Sequence, residues 1–210
     1  VDEVATLFPT NVIHVGGDEW AMGHSWDDCT ACRERMEVEG SETLYEHFYS
    51  FLRDVDEAVG DYDCRTTIWN DQVDISTAPD LPRDMLVQFW RVAGENRGPV
   101  EGCSLERFLE EDFEVVSSYV HAAYINGWTD EDYLLGWSPT RRPSVPDEYT
   151  EQVLGGELLA WEPSSPEARA YFRRALPSAI PTFADRLWND APVENRGAFA
   201  RALTRHVLGP

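Results

Sequence analysis

The residues best able to do chemistry are Asp18 and Glu19, adjacent carboxylic acids in the run His14-Val15-Gly16-Gly17-Asp18-Glu19-Trp20. Neighbouring like charges raise the pKa of at least one partner, so such a pair can keep one acid protonated while the other stays charged. That division of labour suits proton transfer to a leaving atom combined with electrostatic support of a developing cation. Other Asp-Glu pairs, such as Asp2-Glu3, Asp56-Glu57 and Asp147-Glu148, read as ordinary solvated surface. Asp18-Glu19 differs because an apolar, β-branched run, Asn11 to Val15, precedes it and reads as a strand buried on both faces. Gly16 and Gly17 then allow a tight exit from that strand. Parallel α/β folds place their active sites at such strand ends.

Stepping outward, the chain alternates strand-like and helix-like segments, the pattern of a parallel α/β architecture. Strands are expected near Asn11–Val15, Thr66–Trp69, Met85–Trp90, Phe113–Ser117 and Val153–Ala160. A helix is expected from Ser41 as cap to Gly60 as stop, with Leu44, Phe48, Phe51, Leu52 and Val55 at helical spacing. Glu106–Glu111, Pro166–Arg186 and Glu194–Val207 read as further helices, and Tyr119–Tyr149 as one long loop rich in aromatics, Pro and Gly. The expected strands end beside or shortly before Glu19, Trp69, Trp90, Tyr124 and Trp161. In a barrel, groups at successive strand ends converge on one pocket.

Composition narrows the partners. With 210 residues, a net charge of −22 and a pI near 4.4, the chain would be repelled by nucleic acid and by anionic membranes, whereas a neutral substrate fits. Every one of its 17 basic residues is Arg. No apolar run is long enough to span a bilayer. The chain opens Val1-Asp2-Glu3 with neither Met nor signal peptide, which reads as a processed, excised or incomplete sequence and leaves cytoplasmic and secreted settings open. Cys29 and Cys32 form a C-x-x-C pair with no second pair or His pair beside them, so free thiols or a local disulfide are expected rather than a metal site. No cofactor is called for.

These motifs together resemble glycoside hydrolase family 20, the β-N-acetylhexosaminidases and lacto-N-biosidases. The resemblance runs from Leu7-Phe8-Pro9 through His14 to Trp20, Ile68-Trp69-Asn70-Asp71, Val87-Gln88-Phe89-Trp90, Ala123-Tyr124-Ile125-Asn126 and Leu154 to Trp161, and closes on Phe183-Ala184-Asp185-Arg186-Leu187-Trp188. It implies a TIM (β/α)8-type barrel, here partial: residues 1–210 would be the C-terminal portion of a single catalytic barrel, about strands four to eight. A complete barrel takes about 250 residues, and the missing N-terminal part would supply the first strands and a sugar-clamping arginine. The isolated segment, with open sheet edges, is not expected to be stable or active alone.

The resemblance further implies a retaining exo-glycosidase acting on terminal β-linked N-acetylhexosamine. The substrate's own acetamide attacks the anomeric carbon and forms an oxazolinium intermediate, an exception to the usual two-carboxylate scheme. Glu19 would be the acid and then the base, Asp18 would orient the acetamido group, and Tyr124 would donate to its oxygen. Trp69, Trp90 and Trp161 would wall the sugar subsite. From their places in the chain, Trp128 or Trp137 is a further candidate for the pocket rim, and His14 either orients Asp18 or Glu19 or is a satisfied buried histidine. Asn126 stands where relatives commonly carry Asp, and Glu162 lies one residue early relative to their Trp-x-Glu, so sugar choice, and monosaccharide against lacto-N-biosidase-type disaccharide release, stays open. A degenerate carbohydrate-binding barrel is the alternative from another class. A metal-dependent hydrolase built on His14, Asp18 and Glu19 is a third reading, weakened by the lack of a second nearby His.

Overall fold

The computed structural model describes residues 1–20, 29–78, 80–92, 104–125, 131–161 and 165–206. It contains two compact units, Val1–Val115 and Val116–Pro210. The first holds helix α1 (Asp2–Leu7), strand β1 (Val12–His14), α2 (Thr30–Glu39), α3 (Leu44–Gly60), β2 (Arg65–Trp69), β3 (Leu86–Phe89) and α4 (Leu105–Glu110), and β4 (Glu114–Ser117) begins at its end. The second holds α5 (Val120–Ala123), α6 (Glu131–Leu135), β5 (Val153–Gly156), α7 (Pro166–Trp188) and α8 (Arg196–His206). No described helix is long and apolar enough to cross a membrane.

In the first unit, β1, β2 and β3 pair in parallel, with Ile13 beside Thr66 and Ile68 beside Val87. All four residues of β3 are buried, as are the last four of β2. A parallel sheet covered on both faces requires this. Burying each Val, Ile or Phe there contributes about 1.5–3 kcal/mol. The ladder continues past the strand ends: Val15 N–H donates to Thr67 O at 2.9 Å, and Trp69 N–H to Gly16 O at 3.1 Å. Consequently Gly16 and the ends of β1 and β2 are held level, immediately before Asp18 and Glu19.

Helix α3 packs against β2 through Tyr49, Leu52 and Val59, all buried. Its cap is Thr43 rather than Ser41, because the Thr43 hydroxyl accepts from Glu46 N–H while the Glu46 carboxylate accepts from Thr43 N–H. That reciprocal capping box outcompetes a lone serine two residues earlier. Helix α2 has no counterpart among the helices expected from sequence, since its polar Thr30–Glu39 stretch buries no residue and so carries no apolar stripe to read. Cys29 caps it and is bonded to Cys32, which resolves the thiol-or-disulfide alternative in favour of the disulfide.

In the second unit, the expected Tyr119–Tyr149 loop is replaced in its described parts by α5 and α6, and a 3-10 helix spans Asp147–Gln152. Segments this short show no full helical period, although Val120, Ala122 and Ala123 are buried. The expected Val153–Ala160 strand is shorter, spanning Val153–Gly156 with Gly155 at φ +140° inside it. Beyond it, Glu157 N–H donates to Ser117 O at 3.1 Å and Tyr124 and Leu159 form an isolated parallel bridge. At Gly156 an added Cβ would lie 2.7 Å from Ser117 O and 3.0 Å from the Trp137 ring, so the close backbone approach requires glycine.

Candidate functional site

Glycines turn the chain sharply after β1. Gly16 has φ +82° and Gly17 φ +97°, and Glu19 itself sits at φ +48°, a left-handed conformation costly for a residue with a Cβ. Strained backbone of this kind persists only where surrounding contacts over-determine it. Here one contact is Asp71, whose Oδ2 accepts the Glu19 N–H at 3.1 Å. The result places Asp18 exposed and the Glu19 side chain about 42% exposed, both reachable from solvent.

An added methyl at Gly17 would stand 3.2 Å from the Phe48 ring, whereas one at Gly16 meets open space. Gly16→Ala is therefore expected to cost about 1–2 kcal/mol from backbone strain alone. Gly17→Ala adds overpacking and should cost about 2–4 kcal/mol. Denaturant unfolding of the two variants checks this ranking, and equal losses would refute it.

Around Glu19 the first unit gathers Trp69, Trp90 and His14, together with three residues to which the sequence reading assigned no role: Asn70, Asp71 and Arg91. Trp69 and Trp90 are 8% and 4% exposed, and their rings meet edge to face with centroids 6.4 Å apart. The Arg91 guanidinium lies 4.0 Å from the Trp90 ring centroid, a cation-π stack, and pairs with Glu19 Oε1 at 3.0 Å. Asp71 is fully buried and accepts from Trp90 Nε1 at 2.9 Å as well as from Glu19 N–H. Burial pushes the Asp71 carboxyl above its ordinary range, the donors Trp90, Glu19 N–H and Gln72 pull it back, and the charge of Asp18 adds to the rise. Asn70 Oδ1 accepts from Trp90 N–H at 2.9 Å, and its Nδ2 donates to Arg91 O at 2.8 Å.

His14 lies with its ring 4.7 Å from Trp69, its Nδ1 accepting from Gly16 N–H at 3.0 Å. Loss of water lowers its pKa and a hydrogen bond with Gln88 raises it, although part of its surface stays exposed. These contacts tie the imidazole to the sheet and the turn; none of them is to Asp18 or Glu19. A cavity of about 520 Å³ opens beside Asp18, with Trp20, Leu44, Phe48 and Phe51 among its walls. That size is within the range of small-molecule sites.

The second unit holds Tyr124, 5% exposed, and Trp161, 45% exposed, with ring centroids 6.1 Å apart. Trp137, expected as a rim candidate, instead is fully buried and stacks on Phe183 at 4.8 Å, so it is core. Asn126, Trp128 and Glu162 lie outside the described residues.

The model of glycosyl hydrolase family 20, catalytic domain, matches residues 1–191. The chain belongs to this family. It is 23% identical over 212 residues to a β-hexosaminidase of Porphyromonas gingivalis, covering 97% of this chain and 26% of that protein. It is 28% identical over 171 residues to a lacto-N-biosidase of Bifidobacterium bifidum, covering 79% of this chain and 15% of that protein. Among solved structures, a Flavobacterium johnsoniae chitobiase superposes with a TM-score of 0.75 at 22% identity, over 99% of this chain and 30% of that one. The chain thus spans about a quarter or less of the curated relatives just named. Its fold is the α/β fold of the family 20 barrel, of which it carries a part.

The sequence position of Asn70 and Asp71 is itself a signal. Both follow an apolar strand directly, as Asp18 and Glu19 follow β1, and polar residues at that position face the carboxyl end of the sheet.

Proposed function

We propose that this family 20 chain carries the acid-base and substrate-orienting groups of a retaining exo-glycosidase for terminal β-linked N-acetylhexosamine. The supporting observation is Glu19, held in a left-handed turn at the end of β1 with Asp18 exposed beside it and Trp69 and Trp90 clustered next to it. In the first step the substrate's acetamido oxygen bonds to the anomeric carbon as the glycosidic bond breaks, and the Glu19 proton passes to the leaving oxygen. The Asp18 carboxylate accepts from the acetamido N–H and offsets the positive charge gathering there. In the second step the Glu19 carboxylate takes a proton from water, whose oxygen bonds to the anomeric carbon and releases the acetamide. Two displacements at one carbon retain configuration.

Tyr124 serves as hydroxyl donor to the acetamide and Trp161 as an aromatic wall, with Asn126 and Glu162 reading the sugar hydroxyls. Residues 1–210 are read as the C-terminal portion of one catalytic barrel completed by N-terminal strands, and the substrate as a neutral glycoside or glycoconjugate. The similarity to a lacto-N-biosidase favours disaccharide release as the second reading.

The native-length protein should release the aryl group from aryl β-N-acetylglucosaminide, β-N-acetylgalactosaminide or β-lacto-N-bioside, with the β-anomer as first product by NMR and with a chelator making no difference. Binding without hydrolysis on all three would replace this reading with the degenerate barrel, an α-anomer appearing first would overturn the mechanism, and loss with chelator would point to a metal hydrolase.

A further inference from the structure

We propose that Asp71 is the positioning residue of this site, its single buried carboxylate fixing the backbone of Glu19 and the indole of Trp90 in one register. The inference rests on the glycosidase reading above and deepens it. One oxygen, Oδ2, takes the Glu19 N–H at 3.1 Å, and the other, Oδ1, takes Trp90 Nε1 at 2.9 Å. Glu19 needs such a partner, because its φ of +48° is unfavourable for a side-chain-bearing residue and an anchored N–H holds the peptide in that conformation.

Trp90 needs it for a different reason. A buried indole N–H without an acceptor loses its hydration with no return, and Trp90 is 4% exposed. Gln72 Nε2 is a further donor, at 3.4 Å from Oδ2. Every described hydrogen bond to this carboxylate therefore runs from a donor toward it, a set of partners that suits a carboxylate and not an amide. Asn70 completes the brace from the next position. Its amide takes Trp90 N–H and donates to Arg91 O, and Arg91 in turn pairs with Glu19 Oε1 at 3.0 Å. The proton-carrying side chain is thus held at its peptide by Asp71 and at its carboxylate by Arg91, whose own backbone is held by Asn70, so the two residues after β2 fix one support directly and the other through its carbonyl.

Asp71 does not reach a substrate itself, being fully buried; it acts through Glu19 and Trp90. Its loss should therefore show as misplaced proton donation. Proton donation matters most when the departing group is a poor leaving group, and little when a dinitrophenolate departs unaided. The value of kcat/KM reports only steps through bond cleavage, so the later base role of Glu19 does not enter it.

The test uses the native-length protein and its Asp71→Asn variant, which keeps the shape but turns an amide NH2 toward existing donors. On a β-linked N-acetylglucosamine disaccharide, kcat/KM should fall on the order of 100-fold, within the range of lost general acid catalysis. On the dinitrophenyl N-acetylglucosaminide it should fall less than about 5-fold, since that leaving group needs little protonation. Equal losses on both substrates, or no loss on either, would overturn the proposal. Should Asp71→Asn fail to fold, Trp90→Phe keeps a ring but deletes the donor to Oδ1. A larger loss on the disaccharide than on the dinitrophenyl substrate then supports the proposal, and an equal loss overturns it. A wild-type protein that cleaves neither substrate would refute the N-acetylglucosaminidase reading on which the inference rests, a result distinguishable from any change in the ratio.

Discussion

Glu19→Gln in the native-length protein is expected to lower kcat/KM on an unactivated β-N-acetylhexosaminide by about 1000-fold while leaving KM within a few-fold, the scale of lost general acid catalysis. Glutamine has nearly the same shape and can still accept from the Arg91 guanidinium through its amide oxygen, so the contact at Glu19 Oε1 has a neutral replacement. What it lacks is a proton to give to the leaving oxygen and a basic oxygen to take one back from water. The half-exposed side chain contributes little to packing, so the unfolding midpoint should stay within a degree or two of wild type. Steady-state kinetics on a disaccharide substrate, with a melting curve alongside, decides the matter. A variant keeping more than a tenth of wild-type activity would remove Glu19 from the proton-transfer role.

Asp18→Asn should cost about 100- to 1000-fold in kcat/KM, comparable with removing one charge-stabilising group from a preorganised site. Its signature differs from that of Glu19. An amide in place of the carboxylate withdraws a negative charge from the acetamido nitrogen, where positive charge gathers whichever group departs, so activated and unactivated leaving groups should suffer alike. The preference of the wild-type protein for a 2-acetamido sugar over its 2-hydroxyl counterpart should shrink in the same variant. If instead the loss vanishes with a dinitrophenyl leaving group, Asp18 is assisting proton donation and the assignment of unequal jobs to the two acids fails.

The two predictions separate neighbours that a sequence reading sees only as a pair. Asp18 and Glu19 were legible because their context is local: a β-branched run, two glycines, then acids. Trp69 and Trp90 were legible for the same reason, each standing at the end of an apolar strand. Asn70 and Asp71 were printed in the same motif, but their importance rests on Glu19, 52 positions from Asp71, and on Trp90, 19 positions away. No periodicity encodes such contacts. Trp137 shows the opposite error: an aromatic in a Pro- and Gly-rich stretch looks like a rim residue, yet its partner Phe183 lies far along the chain and makes it core.

By itself, then, the sequence determined the order of strands and long helices, the class of fold, and the position of Asp18, Glu19, Trp69 and Trp90 at strand ends, because these follow from burial periodicity and short-range turn chemistry. Thr43 over Ser41 as a cap, the helices inside Tyr119–Tyr149 and the end of β5 at Gly156 needed coordinates, since neighbouring options there differ by small local energies. Only the tertiary structure decided how Glu19 is held. A left-handed turn, a buried carboxylate and an indole N–H become one arrangement when β1, β2 and β3 lie side by side, and the hydrogen bonds that join them exist only between segments remote in the chain.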